Sequence, residues 1–367
     1  MPRKIAILLN TAWNAYNFRK GLIQALIAQG DAVVVIAPCD AYAYRLVDWG
    51  VSFRDVRLAG TGMNPLHDWR YKQTLVKILK EEGADIALSF TIKPNIYGAM
   101  AAHAAGIPII CNVSGLGTTF LWKGWVQRMA VALYNRGFRK ANYLFFQNDD
   151  DRTLFLQHVR VDKERTGLVP GSGINLDQFQ AEAPSFAPPI KFLMISRLIV
   201  EKGINEFVAA TQFIDLKKAQ FTLIGKYDPA HKRSISAEDF QMLLASNITY
   251  LDHQEDVMPQ IAQADVVVLP SYREGTPRTL LEAAAMRRPL IATDVAGCRE
   301  IVHDGMNGFL CRAEDAADLA QKFTLFLQLT PAQQLAMAHA SRQLAEERFD
   351  ETIVIEAYRR MIDRLLT

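Results

Sequence analysis

Residues 265–286, DVVVLPSYREGTPRTLLEAAAM, govern how the rest of this chain is read. An apolar, β-branched run stops at Pro270, a loop follows, and LLEAAAM then has the composition of a helix. Thr276 is placed to cap that helix and Pro277 to fill its first position, where a missing N–H costs nothing. The N–H groups that follow, from about Arg278 to Leu280 and including Thr279, face outward with the helix dipole behind them. Such a tip is a ready pyrophosphate site. Glu274 stands on the loop and Glu282 inside the helix, eight residues on. One carboxylate can therefore hold sugar hydroxyls and the other ribose hydroxyls, on either side of a diphosphate. Spacing alone would equally suit a solvated loop glutamate and a helix-surface glutamate. The strand, turn and cap around the pair favour binding.

A second strand end carries the complementary charge. SRLIVEKG (196–203) follows the apolar run KFLMIS and precedes the helical NEFVAA. Arg197 and Lys202 thus lie where open α/β sheets bind ligands, at the carboxyl edge, and two fixed cations there would compensate a leaving diphosphate. Gly225, closing FTLIGK, lets backbone approach a nucleotide closely. Apolar runs and helical stretches alternate along the whole chain, the pattern of parallel α/β sheets. The first set is KIAILLN, AVVVIAP, DIALSF, IPIICNVS and NYLFFQN; the second is KFLMISR, FTLIGK, ITYLDH, DVVVLPS and PLIATD. AEAPSFAPP (181–189) reads as the linker between them. The expected division is 1–180, 190–347 and a C-terminal helix within 348–367. That helix has an apolar face of Ile353, Ile355, Tyr358, Met361, Ile362 and Leu365.

The 367 residues suit two cores, and a hydrophobic share of 50% with 22% charged residues suits an ordered protein. Cys39, Cys111, Cys298 and Cys311 show no paired spacing, and MPRKIAILLN runs straight into a strand, so a reduced, cytoplasmic protein is expected. Residues 1–180 hold 21 Lys and Arg against 14 Asp and Glu (+7), and the remainder 20 against 25 (−5). A basic front half points to an anionic partner: nucleic acid, a membrane surface or a phosphate-bearing substrate. Residues 94–122 lack any charge, but Pro94, Asn95, His103, Pro108 and Asn112 make a helix and a buried strand the better reading than a membrane span.

Taken in order, REGTPRTLLEAAA, TDVAGCREIVHDGMNGFL (293–310), SRLIVEKG, LIG, VMPQIAQADVVVLPS and VPGSGINLDQF (169–179) resemble the retaining family four glycosyltransferases of GT-B fold. The resemblance implies two Rossmann-like parallel-sheet domains facing each other across a cleft, with the C-terminal helix crossing back to the first. It implies a nucleotide-sugar donor on the second domain, with Arg197 and Lys202 on the diphosphate and Gly225 and Val257 near the base. Glu274 and the backbone of Gly275, Thr276 and Pro277 would hold the donor sugar, Thr279 and Leu280 the phosphate, and Glu282 the ribose. Arg278 departs from the phenylalanine or serine common at that position. The first half resembles bacterial enzymes that extend polyprenyl-diphosphate-linked sugars, N-acetylgalactosaminyl transferases above all.

On that resemblance Asn14, Arg19, Lys93 and Ser114, from NTAWNAYNFRKG, IKPN and VSGLG, are expected on the acceptor side. Over 121–140, Trp122, Trp125, Val126, Met129 and Leu133 recur at helical spacing among Lys123, Arg128, Arg136 and Arg139, which suits a bilayer interface as well as a core-facing helix. Asp149–Asp151 has the Asp-x-Asp pattern of metal sites, but its place between a strand and RTLFLQH makes one of these carboxylates a helix cap. His67, His158, His253 and His303 lack ligand spacing. No metal, cofactor or nucleic acid is therefore expected. The reading is a retaining transfer of a hexose or N-acetylhexosamine from a UDP-sugar to a lipid-linked saccharide, by an enzyme lying on the cytoplasmic membrane surface. A non-hydrolysing UDP-sugar epimerase and a non-catalytic nucleotide-sugar binding protein are the alternatives.

Overall fold

Two all-parallel sheets take up the apolar runs, each in its own unit of the computed structural model, which describes residues 2–58, 64–116 and 125–367, the side chains of 125–127 excepted. One unit is Met1–Ser172 with Glu351–Thr367, and the other is Gly173–Asp350. Strands of the first are β1 (Lys4–Leu8), β2 (Ala32–Ala37), β3 (Ser52–Asp55), β4 (Ile86–Phe90), β5 (Ile109–Val113), β6 (Tyr143–Phe146) and β7 (Thr166–Leu168), ordered β3-β2-β1-β4-β5-β6-β7. The second has β8 (Ile190–Ile195), β9 (Ala219–Ile224), β10 (Ile248–Leu251), β11 (Val266–Leu269), β12 (Leu290–Thr293) and β13 (Gly308–Cys311), ordered β10-β9-β8-β11-β12-β13. Both are doubly wound, so the strand order reverses beside β1 and beside β8, where open α/β sheets leave a crevice.

Strand composition follows from burial on both faces. The VVVL of β11 and IALSF of β4 are wholly buried, as central strands of a parallel sheet must be. Alternation then sorts side chains by face. Ala6 and Leu8 of β1 pack with Val34, Ile36 and the Pro65–Glu81 and Ile92–Ala105 helices, while Ile5 and Ile7 face the opposite core. That opposite core holds the C-terminal helix, Glu351–Leu366. Its buried face is Val354, Tyr358, Met361 and Ile362, and the Tyr358 ring lies 4.9 Å from Phe145 and 5.9 Å from Phe90.

The division differs from the expected one at residues 181–189, which run along the second unit and do not link two bodies. Phe179, just before the Ala-Pro stretch, and Phe186, within it, are buried in its cores. Arg287 donates to the Ala181 carbonyl (2.9 Å) and the buried Arg288 to that of Glu182 (2.8 Å). Low periodicity here records a chain pinned by its backbone carbonyls. Residues 92–105 and 109–113 form the expected helix and buried strand. Among the described residues no helix is long and apolar enough to cross a membrane.

Candidate functional site

β8 and β11 pair in register, Leu193 beside Val267 and Met194 beside Val268, so their carboxyl ends finish together. The loops 196–203 and 270–277 leave side by side at the point where strand order reverses. They touch closely: a Cβ on Gly203, whose φ is +71°, would fall 2.1 Å from the Pro270 carbonyl oxygen. Only glycine combines that left-handed backbone with that approach. The Tyr272 N–H donates to the Glu201 carbonyl (2.9 Å), and its hydroxyl to Glu206 (2.8 Å).

Across this junction Lys202 forms an ion pair with Glu274, both side chains being largely buried at 21% and 12% exposure. Two residues 72 apart, chosen from sequence for opposite ends of one donor, thus hold each other. Arg197, by contrast, is exposed at the end of β8 and makes no ion pair among the described residues. Gly297 shapes the third wall. It sits in the short Ala296–Arg299 helix, where a Cβ would meet the Gly275 carbonyl oxygen at 1.7 Å, so glycine lets that helix press on the Glu274–Gly275 backbone.

The helix after the loop spans Arg278–Ala285 and buries Leu280, Leu281, Ala283, Ala284 and Ala285. Its tip differs from the expectation in two ways. Pro277, not Thr276, is the cap residue, and no side chain caps it. The Leu280 N–H is already bonded to the Pro277 carbonyl (3.1 Å), so the first turn is tight and presents Thr279 ahead of Leu280. Thr279 also ties the helix to β8 by a hydroxyl bond to the Ile195 carbonyl (3.4 Å).

Glu282 is held by Arg278 one turn earlier, Nε to Oε1 at 2.8 Å, with 13% of the glutamate side chain exposed. Burial pushes its carboxyl above the usual glutamate range, Arg278 opposes that push, and Asp256 adds to it. The Arg278 guanidinium also lies 5.8 Å from the Phe179 ring centre. Phe179 ends the VPGSGINLDQF segment, and its role under Arg278 was hidden because 99 residues separate the two. Val257 caps the Met258–Gln263 helix and packs partly buried, beside Asp256. Gly225 approaches protein: its Cβ would strike the Ser196 carbonyl oxygen at 1.8 Å. Buried Ser196 and Ser271 hydroxyls with no protein partner flank the same strand ends; neither was singled out from sequence.

In the first unit Asn14, Arg19, Lys93 and Ser114 all follow the carboxyl ends of β1, β4 or β5. Their side chains are largely engaged within the unit. Arg19 is buried with its guanidinium 4.1 Å above the Phe90 ring. Lys93 pairs with buried Asp68 (3.1 Å), which also accepts from the Tyr97 hydroxyl (2.9 Å). Ser114 donates to Asn112 (3.0 Å), and Asn112 donates to the Tyr358 hydroxyl (2.8 Å). Asn14 keeps a buried carbonyl oxygen with no partner. Thr91, beside Lys93, adopts φ 72°, ψ 159°, a conformation costly for a β-branched residue, and its hydroxyl is buried without a partner. Strain of this kind has no sequence signature.

Asp149–Asp151 occupy the first turn of the Asp149–His158 helix, and Asn148 is its cap, accepting from the Asp151 N–H at 2.7 Å. Carboxylates are favoured there by the dipole. Among the described residues no group of three or more His, Cys, Asp or Glu side chains is arranged to hold a metal ion. Trp122 and Lys123 lie outside the described residues, as do the side chains of Trp125 and Val126.

Comparison with known proteins agrees with this geometry. Residues 189–328 match the family described as Glycosyl transferases group 1, and residues 18–171 the Glycosyl transferase 4-like domain. The chain is 29% identical to the N,N'-diacetylbacillosaminyl-diphospho-undecaprenol alpha-1,3-N-acetylgalactosaminyltransferase of Campylobacter jejuni, over 99% of each chain. It is 24% identical to the UDP-Gal:alpha-D-GlcNAc-diphosphoundecaprenol alpha-1,3-galactosyltransferase of Escherichia coli, over 68% of each. Among solved structures, Anabaena HepE in complex with UDP-glucose superposes with a TM-score of 0.82 at 20% identity, covering 99% of this chain and 100% of that one. A glycosyltransferase from Rickettsia africae superposes with 0.81 at 16% identity over the whole of both. Doubly wound sheets, a helix tip flanked by glutamates and two matched family domains lead to one assignment: the chain belongs to the group 1, family four-like glycosyltransferases and has the GT-B fold.

Proposed function

We propose that this enzyme moves a hexose or N-acetylhexosamine from a UDP-sugar to a polyprenyl-diphosphate-linked saccharide, with retention of configuration, without a metal, at the cytoplasmic surface of a membrane. The activities of the Campylobacter and Escherichia relatives support the acceptor class, and the UDP-glucose complex of HepE supports the donor class. One observation carries the reading: Lys202 and Glu274 are paired at the strand-order reversal, next to the tip of the Arg278–Ala285 helix and to an exposed Arg197. An arriving diphosphate offers Lys202 a stronger partner, which releases Glu274 to accept hydroxyl bonds from the donor sugar. Arg197 and Lys202 then offset charge growing on the departing diphosphate, the step at which fixed cations in a water-poor site act most strongly. In the retaining course, the acceptor hydroxyl attacks from the leaving-group face and passes its proton to the departing phosphate oxygen. No protein base is needed.

The test is UDP release with a panel of UDP-sugars, with and without lipid-linked acceptor. Lys202→Ala and Glu274→Ala are each expected to lower turnover by about 100-fold or more, the scale for losing one preorganised group, with a far smaller change in melting temperature. Near-normal turnover in both variants would overturn the assignment. Full activity in excess chelator is the expected result for a metal-free site.

A further inference from the structure

A wholly buried tyrosine and asparagine meet where the C-terminal helix packs on the first sheet. Tyr358 and Asn112 are both inaccessible, and the core around Tyr358 is otherwise apolar, with Ile7, Phe90, Ile110 and Phe145 among its members. Phenylalanine and leucine could fill the same space without desolvating a hydroxyl and an amide. Replacing both partners of a buried bond by apolar groups of similar shape is close to neutral for stability. The polar pair therefore has a reason other than holding the fold together.

Its position supplies that reason. Asn112 lies at the carboxyl end of β5, two residues before Ser114. Alternation puts its side chain on the face of Ile110, toward the C-terminal helix. Its Nδ2 donates to the Tyr358 hydroxyl (2.8 Å), which turns Oδ1 to the strand end. There Oδ1 accepts from the partly exposed Ser114 hydroxyl (3.0 Å) and, at longer range, from Gln147 (3.4 Å). From the other side Asn95 donates to the Asn112 carbonyl (2.7 Å) and accepts from Ser89 (2.7 Å), so backbone and side chain of Asn112 are both held.

A side-chain amide has one donating and one accepting end. Tyr358 takes the donating end, and the accepting end draws the Ser114 hydrogen inward. What Ser114 then offers at the carboxyl edge is a lone pair. Arg19 meets the same helix at this edge, lying 4.1 Å over the Phe90 ring, which in turn stands 5.9 Å from the Tyr358 ring. We propose that Tyr358 is a positioning residue for the acceptor, acting through Asn112 to present Ser114 as a hydrogen-bond acceptor to a sugar hydroxyl or amide N–H of that substrate. A diphosphate oxygen has no proton to give and is not the group that Ser114 meets. The inference rests on the reading that the first unit takes the lipid-linked acceptor at this edge, and adds to it the polarity of one contact.

Steady-state transfer to a short-chain polyprenyl-diphosphate-linked saccharide, with the acceptor concentration varied and the UDP-sugar saturating, tests it. Tyr358→Phe keeps the ring and removes only the hydroxyl. It is expected to raise the acceptor KM about fivefold, the scale of one neutral hydrogen bond, while the KM of the UDP-sugar stays native. A purely structural loss would instead lower the folded fraction, and with it kcat, and leave both KM values alone. Ser114→Ala tests the same step without touching the core and should give the same rise. The double variant should be no worse than either single one, since both break one chain of bonds. Ser114→Thr, which keeps the hydroxyl, should retain the native acceptor KM. An unchanged acceptor KM in Tyr358→Phe would overturn the proposal, as would a fall in kcat alone, or single losses that multiply in the double variant. Failure of the native enzyme to transfer to any lipid-linked acceptor would sink the proposed function and this inference with it. The two failures are distinct, because one shows in the native enzyme and the other only in the variants.

Discussion

Arg278 is the residue whose chemistry sequence reading left most open, and its partner supplies an answer. It holds Glu282, a carboxyl that burial keeps above its ordinary range. The folded protein therefore favours the protonated form. Between the ordinary glutamate range and that raised value, stability of the unliganded enzyme should fall as pH rises. Affinity for UDP should rise through the same window, because only the ionised carboxylate accepts two ribose hydroxyls. In Arg278→Leu the inflection in UDP affinity should move to higher pH, as read by calorimetry across a pH series. Superimposable curves would show that Arg278 does not keep Glu282 charged. Cysteine chemistry offers a simpler check at this scale. Cys39 is exposed, while burial raises the Cys111 and Cys311 thiols to about 12 and Cys298 well above its usual value. One thiol per native chain should react promptly with a disulfide reagent at neutral pH, and all four after denaturation. Rapid reaction of two or more in the native state would contradict the packing.

Among elements, the strand-to-helix units that build the donor site were legible because their signals are local. DVVVLP is buried on both faces, KFLMIS is so over Phe192–Met194, and both end at polar loops, so strand, edge and loop could all be read from one window. The strands β3, β7 and β13 carry no such run. β3 is the half-exposed SFRD, β7 is the three-residue TGL, and β13 is GFLC; β3 and β7 close one sheet and β13 an edge of the other. Edge strands bury less and so leave a weaker apolar pattern. The contact between the Ala296–Arg299 helix and the Glu274 loop was likewise invisible, since it depends on an atom that glycine lacks. Gly297→Ala must displace the Gly275 carbonyl. We expect about 1–3 kcal/mol of destabilisation, the usual range for overpacking, with weaker UDP binding in excess of that of the lost fold. A melting temperature and UDP affinity both equal to the native values would contradict the placement of this wall.

For the whole molecule, the C-terminal helix matters most, because the chain returns to its first unit only through it. Val354, Tyr358, Met361 and Ile362 close the core that holds Ile5, Ile7 and Phe90. At roughly 1.5–3 kcal/mol for each buried side chain, their removal approaches the total stability of about 5–15 kcal/mol that domains possess. Truncation after Asp350 should therefore leave a chain whose first unit is rapidly proteolysed while Gly173–Asp350 resists and still binds UDP. Equal resistance of both units would mean that the helix adds little. The apolar face of this helix was visible in sequence as a stripe seeking a partner. Its polar anchor, Asn112 on the Tyr358 hydroxyl, joins residues 246 apart.

Local sequence determined the alternation of strand and helix, the two sheets, the helix tip and the glutamates around it, because each depends on neighbours within a dozen residues. Tertiary structure alone decided which charges meet. Lys202 closes on Glu274, Lys93 turns to Asp68, and residues 181–189 lie along a domain they were expected to leave. Electrostatic pairing and close backbone approach act through space between segments distant in the chain, and no window of sequence contains both partners.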